Sequence, residues 1–212
     1  MLGLQAGDIV AVKGKGILAW FSRNAFIPHT DRFHFFLVDR YIEEENDYCI
    51  LESIRGKGVT VGRLSWYKLE DLEIYRLNAP DAEIIGRKAV SALTIYGRAR
   101  YDYILLVRLF ISALRLILSL KLPPWKISQL PYVRNNRLLC VEAIDEAYRA
   151  VKKNLFPSNN FPGPAAFKQV LAEGKLVMVY QGSSQRDQAC KAHTYRKTLW
   201  PQENQKGLKW LF

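Results

Sequence analysis

The stretch "RFHFFLVD" (residues 32–39) decides the architecture, because its side chains divide into two sets that are both largely apolar. Phe33, Phe35 and Leu37 share one face of an extended chain, and His34, Phe36 and Val38 share the other. A strand that is apolar on both faces must be covered on both, which predicts a central strand of a buried sheet. His34 is then a polar group on an enclosed, rigid element, where an imidazole can be held in one orientation.

The flanking sequence supplies partners for that strand. "GDIVAVK" (7–13) alternates and begins at a glycine, while "DYCILESI" (47–54) and "LEIYRLN" (72–78) have the same β-branched and aromatic character. Most of the sheet is therefore expected in the N-terminal third. After Pro80 the pattern changes: "DAEIIGRKAVSALTIYG" (81–97) predicts a helix with an acidic first turn, closed by Gly97. "FPSNNFPGP" (156–164) reads as a loop, "AAFKQVLAEG" (165–174) as a short helix ending at a glycine, and "KLVMVYQ" (175–181) as a last strand. Strands, then helices, then a strand define an α+β class. Residues 1–181 form one expected domain, followed by a basic C-terminal tail, 182–212, that is polar until "LKWLF".

Composition limits the function. A chain of 212 residues with 49% apolar side chains can bury a sizeable core. Its 31 basic against 20 acidic residues give a net charge of +11, which favours anionic partners: nucleic acid, acidic lipid headgroups or cell-wall polymer. Cys49, Cys140 and Cys190 are odd in number and lack metal-type spacing, so neither a disulfide framework nor a zinc site is expected, and a reducing compartment fits. The opening "MLGLQAGDIVAVKGKG" has no basic segment followed by a long apolar run. A cytoplasmic or peripheral-membrane location is the expectation. A cell-wall role would require lysis, a phage particle or another carrier.

Residues 103–122, "YILLVRLFISALRLILSLKL", resemble a membrane span until Arg108, Ser112, Arg115 and Ser119 are placed on a helix. Their spacing of four, three and four makes a narrow polar stripe, and two arginines in mid-span would each cost about 2.5 to 3.5 kcal/mol. An amphipathic helix with a wide apolar face is predicted, ended by Pro123 and Pro124. Such a face suits core packing, or the interface of an anionic membrane. From Tyr96 to Cys140 eight residues are basic and Asp102 alone is acidic, which would suit anionic headgroups.

The chemistry centres on "RNNRLLCVEAIDEAYRAV" (134–151). Val141, Ile144, Tyr148 and Val151 recur at helical spacing with Glu142, Asp145, Glu146 and Arg149 between them, predicting an amphipathic helix capped by Asn135 or Asn136. Cys140 would then sit in or just beyond the first turn, where the positive end of the backbone dipole favours thiolate over thiol. Taken alone, the stretch fits a buried cysteine acting as a small hydrophobe better than a reactive thiol.

A nucleophilic cysteine needs a base and a group to orient that base. Of His29, His34 and His193, only His34 is expected on a sheet; a His29/His34 metal pair is disfavoured because no third ligand suggests itself. Glu52 shares a strand face with Tyr48 and Ile50, and reaches the imidazole if its strand runs antiparallel to that of His34. The alternative is a carboxylate at the rim, facing solvent.

The ordered set "GDIVAVKGKG", "RFHFFLVD", "ILESIRGKGV", "GRARYDY" and "LLCVEAIDEAY" resembles the circularly permuted branch of the NlpC-like papain-fold hydrolases, the YiiX and YebB type, over roughly residues 6 to 180. The resemblance implies a permuted papain-like fold in which an antiparallel sheet packs against helices, with a catalytic cysteine on a helix and a histidine on a strand. It implies Cys140 as nucleophile, His34 as base, Glu52 as the residue orienting His34, and Tyr101 as a substrate contact. Neither metal nor cofactor is implied. Phe33 stands where the family commonly has a small hydroxyl residue, and Val141 where serine often follows the cysteine. The segment around 103–135 reads as a helical insertion bordering the site.

The leading expectation is a cysteine hydrolase cleaving an amide bond of cell-wall peptide type through an acyl-enzyme. A lipid acyl hydrolase or acyltransferase at a membrane surface would use the same triad, and the substrate is accordingly a peptide or a lipid-linked amide or ester. A non-catalytic basic module is the third reading. Nucleic acid is disfavoured as its partner, since no helix-turn-helix, zinc-finger or RNP signature accompanies the charge.

Overall fold

The computed structural model describes residues 2–14, 23, 26–27, 29–67, 71–97, 99–104, 107, 111, 125–126, 137–156 and 162–183 of the chain. Six strands form one antiparallel sheet: β1 (Ile9–Lys13), β3 (Arg32–Ile42), β4 (Asp47–Ile54), β5 (Gly58–Arg63), β6 (Asp71–Leu77) and β8 (Leu176–Ser183). Their order is β5-β4-β3-β1-β6-β8, so β3 is interior, as its two apolar faces require. Two short strands, β2 (Phe26–Ile27) and β7 (Trp125–Lys126), pair in parallel apart from this sheet.

Alternation along the strands makes two cores. On one face Ile9, Ala11, Phe35, Leu37 and Leu51 pack against α1 (Ala82–Ile95), α2 (Cys140–Ala150) and α3 (Pro164–Ala172). On the other, Val10, Val12, Phe36, Val38 and Ile50 pack with Leu64 and Tyr67 of a 3₁₀ turn (Leu64–Tyr67) and with the N-terminal Leu2 and Leu4. The α+β class follows directly. Helix α1 lies so close to the N-terminal segment that a Cβ on Gly86 would stand 2.0 Å from the Ala6 carbonyl oxygen, and one on Gly7 would stand 2.2 Å from Gly86 Cα. Only two glycines allow that approach. The Tyr148 hydroxyl then donates to the Gly7 carbonyl at 2.6 Å, tying α2 to the same point.

Three expectations change. "GVTVGR" carries two glycines and an arginine and gave no strand signal, yet it forms β5, because β4 supplies its hydrogen-bond partners along the whole run from Cys49↔Arg63 to Ile54↔Gly58. Helix α2 is not half-exposed: Glu142 and Asp145, expected on a polar face, are each 2% exposed. The last strand runs on to Ser183, so the sheet includes the first residues assigned to the tail. Most of the helix expected at 103–122, the insertion up to 135 and nearly all of the tail lie outside the described residues. Among the described residues no helix is long and apolar enough to cross a membrane.

Candidate active site

Cys140 is the first residue of α2, and Leu139 is its N-cap. The expected asparagine cap is thus displaced. Glu142 takes over part of that role by reaching back to accept the Leu139 N–H at 2.7 Å, as in a capping box. The approach to the helix is also stitched to the sheet region: Ser53 of β4 donates its hydroxyl to the Leu138 carbonyl at 2.6 Å, and the Leu138 N–H donates to the Arg100 carbonyl at 3.0 Å. These bonds fix where the thiol stands relative to β4.

The thiol belongs to the helical face of the sheet and His34 to the other, so the two must meet at a strand end. A register shift makes this happen. Val12 of β1 pairs with His34 and the next residue, Lys13, pairs with Arg32, which leaves Phe33 as the extra residue of a bulge. Bulges bend a strand and re-aim its side chains, and they recur beside functional sites for that reason. Here the Phe33 carbonyl accepts from Cys140 Sγ at 3.8 Å, and the thiol stands close enough to the His34 side chain to act on its protonation. The bulged end is anchored across β1, where Arg32 of β3 donates from Nη2 to Glu73 of β6 at 2.6 Å and from Nη1 to the Asp71 carbonyl at 3.0 Å.

Glu52 faces Phe36 across the antiparallel β3/β4 pair, two residues along from His34 on the same face. His34 Nε2 lies 2.9 Å from Glu52 Oε2, which leaves Nδ1 as the ring nitrogen to serve the thiol. The carboxylate is 2% exposed and is not a rim group. Two residues that the sequence did not single out hold it. Tyr67, at the end of the 3₁₀ turn, donates its hydroxyl to Glu52 Oε2 at 2.5 Å, and its ring stacks on the imidazole at 5.8 Å between centroids. At Gly62 of β5 a Cβ would stand 2.6 Å from Glu52 Oε1, so the carboxylate occupies room that only glycine leaves.

Burial opposes a charge on His34, but interaction with Cys140, the hydrogen bond that the ring donates to Glu52 and the negative charges of both partners outweigh it, and its pKa is raised to about 10. The resting pair is therefore imidazolium beside sulfur. Tyr101 lies within electrostatic reach of Cys140, and burial followed by that neighbouring charge pushes its phenol well above the ordinary range. It packs edge to face on Tyr103 at 5.3 Å. All four residues singled out from the sequence thus converge. His29 does not: it is exposed, with Nδ1 2.5 Å from the Arg23 carbonyl oxygen. His193 and Cys190 lie outside the described residues. Among the described residues no group of three or more His, Cys, Asp or Glu side chains could hold a metal ion.

No protein-family model matches the chain, and no curated protein sequence matches it. The functional reading has to rest on the geometry of these side chains.

Proposed function

We propose that the chain is a cysteine hydrolase of permuted papain-like type, acting on an amide bond of cell-wall peptide type. The observation that carries this reading is the chain from the Cys140 thiol to His34 and from His34 to Glu52, assembled at a helix start, with Glu52 buried and His34 and Cys140 partly buried. Once the Cys140 proton has passed to His34, the sulfur is a nucleophile and the imidazolium a proton donor. In the first step Cys140 sulfur bonds to the substrate carbonyl carbon, and the Cys140 backbone N–H at the start of α2 donates to the oxygen that becomes negative. The carbon–nitrogen bond then breaks as His34 delivers its proton to the leaving amine. In the second step His34 takes a proton from water, the resulting hydroxide attacks the acyl carbon, and the carbon–sulfur bond breaks to regenerate the thiolate and the protonated imidazole. Glu52 keeps the ring oriented throughout and offsets its charge. Tyr101 lines the acyl side.

Intact-mass analysis after incubation with muropeptides tests the proposal. The expected result is cleavage products together with a transient adduct on Cys140 that hydroxylamine removes. Products formed equally well by Cys140→Ala would overturn it, and an adduct of fatty-acyl mass obtained only with lipid substrates would replace peptide with lipid acyl chemistry.

A further inference from the structure

The bulge that brings sulfur and imidazole together interrupts the ladder, because Phe33 has no partner on β1. What holds it there follows from the faces of the strands. By simple alternation residues 32, 34 and 36 of β3 would share one face. The extra residue breaks that rule: Arg32 pairs with Lys13 and His34 pairs with Val12, and Lys13 and Val12 point to opposite faces of β1. Arg32 therefore stands on the face of Ala11, and Ala11 pairs on its other side with Glu73 of β6. Reaching across β1, Arg32 donates from Nη2 to Glu73 Oε1 at 2.6 Å and from Nη1 to the Asp71 carbonyl at 3.0 Å. Glu73 is braced in turn, since its Oε2 accepts from the Tyr75 hydroxyl.

Both charges are largely buried, with 8% of the Arg32 side chain and 15% of the Glu73 side chain exposed. A buried ion pair contributes little net stability, because desolvation offsets most of its attraction; its best-attested use is to fix register, since a misplaced partner leaves a buried charge unpaired. This pair carries a further penalty in Arg32 Nε, which is buried and has no hydrogen-bond partner among the described residues. The ion pairs of Lys13 with Asp31 and Asp71, at 3.5 and 3.8 Å, are exposed and hold the strand end only weakly. In a straight register Lys13 would face Phe33, and Arg32 would turn to the His34 face, away from Glu73. We propose that Arg32 and Glu73 are positioning residues: their ion pair selects the bulged register of β3 and thereby sets Cys140 against His34. Arg32 acts through its neighbour Phe33, whose carbonyl accepts from the thiol, and through His34 one residue further on. The register lock stands on strand pairing; its effect on reactivity rests on the proposed Cys140–His34 pair.

The test replaces both partners in the full chain, Arg32→Met with Glu73→Leu, because removing one alone would strand a buried charge. This double variant should keep the wild-type circular dichroism spectrum and a urea midpoint at or above that of wild type. Its cross-strand nuclear Overhauser contacts at Lys13 should move from residue 32 to residue 33. Cys140 should then be alkylated by iodoacetamide at pH 6 at least about 10-fold more slowly, with Cys49 unchanged, and the midpoint of the Cys140 pH–rate profile should rise. Arg32→Lys, which keeps a cation opposite Glu73, should restore the bulged contacts and a rate within about 3-fold of wild type. A wild-type Cys140 rate in the double variant would overturn the proposal. So would a slow rate with the Lys13 contacts unmoved, or a lowered urea midpoint with both cysteines more reactive, which is the signature of a pair that serves stability alone. Should the double variant fold poorly, Glu73→Gln keeps the shape and removes the charge; Lys13 contacts and Cys140 rate both unchanged in it would overturn the proposal as well. None of these readouts involves substrate, so a wild-type chain that shows them and leaves muropeptides uncleaved would count against the hydrolase reading alone.

Discussion

Cys49 and Cys140 are the two cysteines of the described residues, and the fold treats them in opposite ways. Cys49 lies in the middle of β4, 2% exposed, and burial followed by the nearby Asp39 raises its pKa, with Arg63 and Arg40 offsetting only part of the effect. Cys140 is partly exposed at the first residue of a helix, beside an imidazole that carries a proton. Both flank apolar cores and both would pass for small hydrophobes in the sequence. The comparison teaches that a thiol becomes a reagent through what meets it at the end of an element, since the interior of a strand gives Cys49 little access and sets beside it a carboxylate, Asp39, that favours the protonated thiol.

The comparison can be broken most directly by iodoacetamide. At pH 6, peptide-resolved mass spectrometry should find Cys140 alkylated at least about 100-fold faster than Cys49; equal rates would remove the basis for assigning chemistry to either. His34→Gln should then lower the Cys140 rate by at least about 10-fold and leave Cys49 unchanged. A smaller effect is expected one contact further out. Tyr67→Phe deletes a hydrogen bond to a buried carboxylate, a contribution of about 1.5 to 3 kcal/mol, so the Cys140 rate should fall by roughly 10-fold if that bond serves to position His34. A slope change confined to Cys140 in the pH–rate profile would separate positioning from general loosening.

The proton on His34 gives a stability test of the same contrast. Its pKa is raised from 6.5 to about 10 in the folded chain, so the stabilisation linked to it is present in full below the unfolded value and is lost as pH rises through about 10. The urea midpoint of wild type should therefore exceed that of His34→Gln most clearly at pH 6, with the gap narrowing steadily towards pH 11. A gap independent of pH would mean that His34 contributes packing without charge. The smallest expected change is in reactivity, for a variant outside the site: Gly86→Ala should destabilise the fold by about 1 to 3 kcal/mol through overpacking against Ala6, with the relative rates of the two cysteines preserved in the folded fraction.

Much of the framework was legible because period and polarity are local properties. The double apolar face of "RFHFFLVD" placed β3 inside the sheet, and the helical recurrence of Val141, Ile144 and Tyr148 predicted α2. Glu52 followed from a condition on its strand, that it run antiparallel to β3, which the pairing meets. The misses have a common cause. The segment that became β5 looked unlike a strand because its glycines are there for a neighbour, one of them to make room for the Glu52 carboxylate. Tyr67 carried no signal because nothing near it in the chain says what its hydroxyl will meet. The asparagine cap was displaced because bonds to Ser53 and Arg100 set the path of the chain into α2.

By itself, then, the sequence determined an α+β chain with a central two-faced strand, a cysteine at the start of a helix and a strong positive charge, since each of these follows from side chains reading their own backbone period. Tertiary structure alone decided that sulfur and imidazole meet. They start on opposite faces of one sheet, and the single extra residue at Phe33, together with the stitching of Leu138 to β4, brings them to the same edge. Such a meeting depends on distances between segments more than 100 residues apart, which no local pattern encodes.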